Sequence, residues 1–134
     1  MPPFESLDLG LLALRLAIGA IFLAHGLPKR HVWKKAPPQT SAKMVAVMKI
    51  LSIAEPLGAV AVLAGFLTQL ASVGLAIIMA GAIKMKITVW KMPFKADDKT
   101  GWELDLLLLC ACLVLLTHGA GILSADFLLY GRWR

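Results

Sequence analysis

Four long apolar runs divide this 134-residue chain, and they constrain its fold more than any other feature. A run of about 20 apolar residues is long enough to cross the roughly 30 Å hydrocarbon core of a bilayer as a helix. Apolar residues make up 59% of the chain and charged residues only 16%, below the roughly one quarter that soluble domains carry. We therefore expect one integral membrane domain over residues 1–134, with spans at residues 7–27, 44–66, 70–90 and 102–123.

The predicted fold is all-α, an up-down-up-down four-helix transmembrane bundle. Lipid offers no hydrogen-bond partner to backbone groups, so a spanning segment is either a helix or part of a closed barrel. These runs are too continuously apolar for barrel strands. A polar loop with Pro37-Pro38 separates the first two spans, a tight turn at Thr68-Gln69 separates the next two, and residues 91–101 form the last loop. The first run continues to Leu27 without a cleavage motif, so we expect it to be retained as a helix.

The basic residues predict an orientation for this bundle. Loops that carry an excess of Lys and Arg face the cytoplasm, so both termini and the Thr68-Gln69 turn are predicted to lie outside. A net charge of +6 would suggest nucleic acid in a soluble chain, but here the charge flanks apolar runs and no nucleic-acid partner is expected. The opposite side holds only Arg132 and Arg134, whereas the two basic loops hold Lys29, Arg30, Lys34, Lys35, Lys43, Lys91, Lys95 and Lys99.

Arg15 and Glu55 are charges inside predicted spans. An ionised group near the bilayer centre costs several kcal/mol unless it is paired. Residues four or seven apart share a helical face, which places Arg15 with Gly19, four residues on, and with Gly26, seven further, on a stripe that we expect to face the bundle. Counted from the outer ends of their spans, the two charges differ in depth by only about 5 Å. We therefore predict an Arg15–Glu55 pair, which either locks two helices together or forms a polar pocket for a lipid-soluble ligand.

Glycines at the same spacing occur on the other predicted spans. Gly58 and Gly65 lie seven apart on the second span, and Gly74 and Gly81 on the third. Small residues at such spacing let membrane helices approach closely. All four glycines are therefore predicted to lie at helix–helix contacts.

A second group of polar residues lies near the cytoplasmic ends of the spans. His25, Glu103 and Asp105 fall within a few residues of those ends, and a histidine beside carboxylates can relay protons near neutral pH. Interfacial solvation is the alternative explanation. The predicted ligand-binding residues are Arg15, Glu55, His25 and Glu103.

The histidines and cysteines do not indicate a metal or haem site. Cys110 and Cys112 are about 200° apart around a helix, so they cannot readily bridge each other. No C-x-x-C pair is present for thiol redox chemistry. His25 and His118 are predicted near opposite faces of the membrane, which argues against a haem held between them.

Three stretches of the sequence, in this order and spacing over the four runs, resemble the DoxX family. They are Leu14–Gly19 continuing through His25-Gly26-Leu27-Pro28-Lys29, Glu55-Pro56-Leu57-Gly58 running into Gly65-Phe66-Leu67-Thr68, and His118–Asp126. The resemblance implies a four-span protein of a bacterial or archaeal inner membrane. The family takes its name from a membrane subunit of a quinone-linked thiosulfate-oxidising complex, and other members are tied to membrane-associated redox complexes with soluble partners.

The resemblance also singles out individual residues. Arg15, Glu55, Glu103 and Asp126 fall on polar positions that recur in the family. Gly119-Ala120-Gly121 stands where a Gly-Pro-Gly is usual, a departure that loosens the expected turn.

The first functional hypothesis is a membrane subunit of a quinone-linked oxidoreductase complex. Such a subunit is non-catalytic or, at most, contributes a quinone-binding site. It anchors other protein subunits, contacts membrane lipids and shapes a quinone site near Arg15, Glu55 and His25. A partner supplies the redox centre. Two alternatives remain open at this point. One is a structural accessory subunit without a ligand site, and the other is a small-solute carrier that works as an oligomer.

Overall fold

A computed structural model describes residues 6–131 of the chain. Residues 1–5 and the arginines Arg132 and Arg134, which entered the orientation argument, lie outside the described residues. The described part is helical and contains no strand, so the all-α prediction is confirmed. The helices are α1 (Ser6–Gly26), a 3-10 helix (Leu27–Trp33), α2 (Ala42–Ala64), α3 (Thr68–Thr88), α4 (Glu103–His118) and the short α5 (Ala125–Tyr130).

Three segments are long and apolar enough to cross a membrane: Ser6–Trp33, Ala42–Ala64 and Thr68–Thr88, with mean hydropathies of 2.0, 1.8 and 1.7. Helix α4 has 16 residues and ends at His118, five residues before the predicted end of its span. It ends there because Gly119 and Gly121 have φ angles of 74° and 77°, which helical residues do not adopt. At 1.5 Å per residue α4 is about 24 Å long, and a fourth crossing stays a prediction.

The turn between α2 and α3 lies three residues before the predicted Thr68-Gln69 position. Helix α2 ends at Ala64, and the following Gly65 has a φ of 65°, the left-handed conformation that glycine adopts without strain. Leu67 also has a positive φ of 48°, and α3 already begins at Thr68. The prediction was wrong because Thr68 and Gln69 are polar residues in the first turn of a helix rather than turn residues.

Consecutive helices pack antiparallel. Gly19 of α1 faces Leu63 of α2, whereas Gly26 further along α1 faces the earlier Pro56. Gln69 at the start of α3 bonds to Leu116 near the end of α4. The α1–α2 and α3–α4 interfaces are the largest, and that between α1 and α4 is much smaller. Their shared core comprises Leu11, Ile18, Phe22, Ala59, Val62, Leu75, Ala76, Met79, Leu108, Cys112 and Leu115.

The glycine predictions are confirmed on α1 and α2 and wrong on α3. A Cβ at Gly19 would overlap the Leu63 side chain, and one at Gly58 would lie 2.8 Å from Leu75. At Gly74 and Gly81 a Cβ would meet nothing within 4 Å among the described residues. These two glycines lie on the exposed face of α3, because α3 uses its other side to pack on α2 and α4.

Candidate functional site

The bundle has two chemically different ends. The loop end is where α1 and α3 begin, α2 and α4 end, and residues 119–124 lead into α5. The basic end is the opposite one, formed by the 3-10 helix, residues 34–41 and residues 89–102. Intramembrane polar groups gather at each end rather than at one central pocket.

Arg15 is the most connected polar side chain at the loop end. Only 1% of it is exposed, which confirms that it faces the bundle. Its Nε donates to the carbonyl of Val62 at 2.9 Å and its Nη2 to that of Leu63 at 2.8 Å. Its Nη1 donates to Ala120 at 3.0 Å and to Leu123 at 2.7 Å. The last carbonyls of a helix lack helical partners and carry partial negative charge, so the guanidinium joins the end of α2 to the α4–α5 loop.

The predicted Arg15–Glu55 pair is wrong. Glu55 is 1% exposed, and its Oε1 lies 2.5 Å from Nζ of Lys29. Side chains on a helix lean toward the helix N-terminus, and α1 and α2 are antiparallel, so the two side chains lean apart. Arg15 reaches the carbonyls of residues seven and eight positions beyond Glu55, a separation of about 10 Å along the helix.

Two carboxylates complete the network at the loop end. Oδ1 of Asp8 accepts a hydrogen bond of 3.0 Å from the amide of Ile122. The Asp126 carboxylate accepts hydrogen bonds from the amides of Leu67 at 2.6 Å and Thr68 at 2.9 Å, and its own amide donates to the Gly65 carbonyl at 2.7 Å. Asp126 therefore caps α3 from a segment that is distant in sequence.

The sequence had indicated Asp126 only through the family resemblance. A further signal was available in Ser124, a residue type that favours the first position before a helix. Its Oγ accepts a hydrogen bond from the Phe127 amide at 3.2 Å. That cap sets the start of α5 and with it the position of Asp126.

An open cleft of about 870 Å³ lies at the loop end, between the start of α1, the start of α3 and the end of α4. The α4–α5 loop, which Arg15 and Asp8 hold in place, forms part of its wall. The walls are largely apolar with a few polar groups, the composition typical of sites for amphiphilic small molecules. The lining includes Leu7, Leu11, Leu70, Ile122, Phe127 and Tyr130, with Gln69 and His118 among the polar residues.

His118 is exposed and lines this cleft. The Thr117 hydroxyl lies 3.0 Å from the carbonyls of Leu113 and Val114, so its hydrogen points back along α4. Nδ1 of His118 lies 2.9 Å from the Thr117 hydroxyl oxygen and 3.2 Å from the Val114 carbonyl. This network assigns the proton to Nδ1, which leaves Nε2 of a neutral His118 as a hydrogen-bond acceptor. In the sequence, His118 entered only the argument against a haem and the stretch His118–Asp126 that resembles the family.

The basic end is held by a separate set of contacts. Besides the Lys29–Glu55 pair, the Trp33 indole donates to the Ser52 hydroxyl at 2.9 Å. Lys49 lies 5.0 Å from the centre of the Trp33 ring, within the range of a cation–π contact. These contacts fix the 3-10 helix against α2.

The predicted grouping of His25 with carboxylates is not what the structure shows. His25 is exposed, and Asp105 pairs instead with Lys86 at 2.6 Å. Glu103 opens α4, where its amide donates to the Phe94 carbonyl at 3.1 Å. Within residues 6–131, one carboxylate oxygen of Glu103 and one of Glu55 are buried without a hydrogen-bond partner.

The four predicted ligand-binding residues are thus split between the two ends. Arg15 lies at the loop end, whereas Glu55, His25 and Glu103 lie at the basic end. A ligand role for any of them stays a prediction. Among the described residues no group of His, Cys, Asp or Glu is arranged to hold a metal ion.

Comparison with known proteins gives one family match. The family model described as DoxX matches residues 10–90, more than half of the chain. The match covers most of α1 and all of α2 and α3, whereas the wall of the cleft formed by residues 117–131 lies beyond it. No curated protein and no solved structure gives a significant match.

Proposed function

Since the chain belongs to the DoxX family and is a small integral membrane protein, we propose that it is the membrane subunit of a quinone-linked oxidoreductase complex. It anchors a partner that carries the redox centre, and its loop-end cleft shapes the quinone site. The proposal places this subunit in a bacterial or archaeal inner membrane. The redox chemistry belongs to the partner, which exchanges electrons with the quinone.

The observation that carries this proposal is the loop-end cleft. Its volume of about 870 Å³ falls within the roughly 300–1,000 Å³ of small-molecule sites. A quinone or quinol needs apolar walls for its ring and tail and a few polar groups for its two oxygens. The cleft offers both, and Nε2 of His118 suits a quinol hydroxyl because it accepts a hydrogen bond.

The position of the site differs from the one that the sequence suggested. The Arg15 guanidinium already donates to four backbone carbonyls, so it has little capacity to bind a quinone oxygen. Its role in the proposal is to position the α4–α5 loop, which forms part of the cleft. In this proposal Arg15 therefore acts as a positioning residue.

A structural accessory subunit is the second candidate function. The observation that favours it is that Arg15 and Glu55 both have partners within the chain, Arg15 in backbone carbonyls and Glu55 in Lys29. Buried polar contacts of this kind can specify a fold without any chemistry. In this alternative the cleft is filled by lipid or by another subunit.

The test is isolation of the full chain from its native membrane in mild detergent, with mass spectrometry of co-purifying proteins and extraction of quinone. A redox partner together with about one quinone per chain supports the oxidoreductase proposal. A partner without quinone contradicts the quinone site and supports the accessory role. Isolation of the chain alone, without quinone, contradicts both, and flux into proteoliposomes would then test the solute-carrier hypothesis.

A matched pair of histidine variants locates the site. His118→Leu removes the acceptor at the cleft, whereas His25→Leu removes an exposed histidine at the basic end. We expect quinol retention and quinol oxidation by the complex to fall about tenfold in His118→Leu, because the quinol hydroxyl loses its acceptor, roughly what the loss of one hydrogen bond to a ligand costs. His25→Leu is expected to behave like the wild type. Equal quinol retention in both variants would exclude the cleft as the site.

A further inference from the structure

A second, smaller depression lies at the basic end. It has a volume of about 330 Å³ and is lined by Leu27, Arg30, His31 and Lys34. All four residues are exposed, and none of them is acidic. We refer to it as the Arg30 groove.

The geometry of the 3-10 helix explains why these side chains share a surface. A 3-10 helix has three residues per turn, so residues three apart lie in one row. The row of Lys29 and Val32 faces α2, because Lys29 pairs with Glu55 and Val32 is only 5% exposed. The two remaining rows, Leu27 with Arg30 and Trp33, and Pro28 with His31 and Lys34, are exposed, although the Trp33 indole at the end of its row reaches back to Ser52.

The surface is fixed before any ligand arrives. The hydrogen bond from the Trp33 indole to Ser52 holds the end of the 3-10 helix on α2. The amide of Lys34 donates to the carbonyl of His31 at 3.0 Å, which extends the turn through Lys34. Preorganised positions lower the entropy that a bound ligand would otherwise cost.

The position of the Arg30 groove relative to the bilayer follows from the length of α1. Its 21 residues span about 32 Å, close to the roughly 30 Å thickness of the hydrocarbon core. The 3-10 helix therefore begins where the chain leaves the hydrocarbon. This places the exposed Leu27 at the edge of the acyl chains and the basic side chains at the level of the phosphates.

We propose that the Arg30 groove binds the head group of an anionic phospholipid. The phosphate is held by Arg30 and Lys34 with His31 beside it, and an acyl chain runs along Leu27. Nε of Arg30 bonds to the Leu27 carbonyl at 3.3 Å, and the two terminal nitrogens suit bidentate binding of phosphate oxygens. Negative lipid charge complements the groove, and such contacts strengthen with each basic residue near the surface.

The experiment measures which lipids the full chain retains. The protein is reconstituted into nanodiscs of equimolar phosphatidylglycerol and phosphatidylcholine, released in mild detergent, and examined by native mass spectrometry. The variant Arg30→Gln with Lys34→Gln removes two charges from the groove. The control Lys95→Gln with Lys99→Gln removes two charges from exposed positions of the other basic loop.

We expect the wild type and the control to retain phosphatidylglycerol in preference to phosphatidylcholine, and the groove variant to lose that preference by about fivefold or more. An equal loss in both variants would mean diffuse surface attraction and would overturn the site. No loss in the groove variant would overturn it as well. Helix content by circular dichroism confirms that each variant is folded, which is expected because all four substituted residues are exposed.

Discussion

The buried Arg15 side chain on α1 joins two other parts of the chain through hydrogen bonds to backbone carbonyls. Its guanidinium bonds to the end of α2 and to the loop that follows α4. Arg15→Leu removes the guanidinium from four carbonyls, of which that of Val62 keeps the Gly65 amide as a donor, and we expect it to lower the free energy of unfolding by about 3–5 kcal/mol, as breaking a buried charged network does. Arg15→Lys should cost less, because an ammonium retains three donors but lacks the planar fork. Unfolding by SDS titration of the reconstituted protein measures both losses.

Arg30→Lys is the control for the Arg15 variants. Arg30 is exposed and makes a local hydrogen bond to Leu27, so its replacement should leave the unfolding midpoint unchanged. If Arg15→Lys is as stable as Arg30→Lys, the guanidinium geometry does not matter and the network contributes less than the contacts imply.

Asp126 supplies the cap that α3 lacks in its own sequence. The residue before α3 is Leu67, which has no side-chain acceptor, and the Asp126 carboxylate accepts from the amides of Leu67 and Thr68 instead. We expect Asp126→Ala to cost about 1–2 kcal/mol, the range for loss of a helix cap. Asp126→Asn keeps one acceptor oxygen and should cost about half as much. Hydrogen exchange of the first amides of α3 should accelerate in Asp126→Ala, and unchanged exchange there would contradict the capping role.

The partners of these residues were hard to predict for a physical reason. Sequence periodicity identifies which face of a helix is buried, and it correctly turned Arg15 inward. It does not identify backbone carbonyls as partners, because every residue carries one. Glu55 was therefore matched to the nearest formal charge, although Lys29, placed in a basic loop, is the cation that reaches it.

The α1–α2 contact depends on glycine at positions where the helices touch. A Cβ at Gly26 would lie 2.8 Å from the ring of Pro56 and 3.0 Å from Cβ of Glu55, and neither atom can move without its helix. We expect Gly26→Ala to lower the free energy of unfolding by about 1–3 kcal/mol, as overpacking does. Thermal unfolding in detergent provides the measurement.

Gly74→Ala is the matched control on α3. Its Cβ would meet nothing within 4 Å among the described residues, so the stability of the isolated chain should be unchanged or slightly higher. A loss of an associated protein on purification of Gly74→Ala would show that a partner packs on this face of α3. The contrast between the two glycines tests whether close approach, rather than glycine spacing alone, determines the cost.

The bounds of the helices could be predicted where long apolar runs mark them in the sequence. The starts and ends of α1 to α3 lie within about two residues of the predicted spans, because long apolar runs fix their existence. The fourth run was predicted to continue to Leu123, since residues 119–123 are small or apolar. The positive φ angles of Gly119 and Gly121 end that helix early, and apolar residues after them form the wall of a cleft instead of a helix. Hydropathy alone does not distinguish these two uses of apolar residues.

At the scale of the whole molecule, the two ends have different chemistry, and the orientation decides which compartment each one faces. If the basic end faces the cytoplasm, the loop-end cleft opens on the outer side and a partner that exchanges electrons there must also act from outside. The orientation can be tested because each membrane-crossing helix moves the chain to the other side of the membrane. Two helices, α2 and α3, separate residue 36 from residue 98, so these two positions should lie on the same side of the membrane. Residues 66 and 129 should share the other side, provided that α4 also crosses.

Cysteine labelling in intact cells tests this arrangement. In a background with Cys110→Ala and Cys112→Ala, single cysteines replace Ala36, Asp98, Phe66 or Leu129, all of which are exposed. We expect a membrane-impermeant maleimide to label the variants at 66 and 129 and to label those at 36 and 98 only after permeabilisation. Labelling at 36 and 98 alone would reverse the orientation and move the cleft to the cytoplasmic side. Labelling at 66 without labelling at 129 would mean that α4, at about 24 Å, does not cross, and the cleft would then lack the wall that α4 and the α4–α5 loop provide.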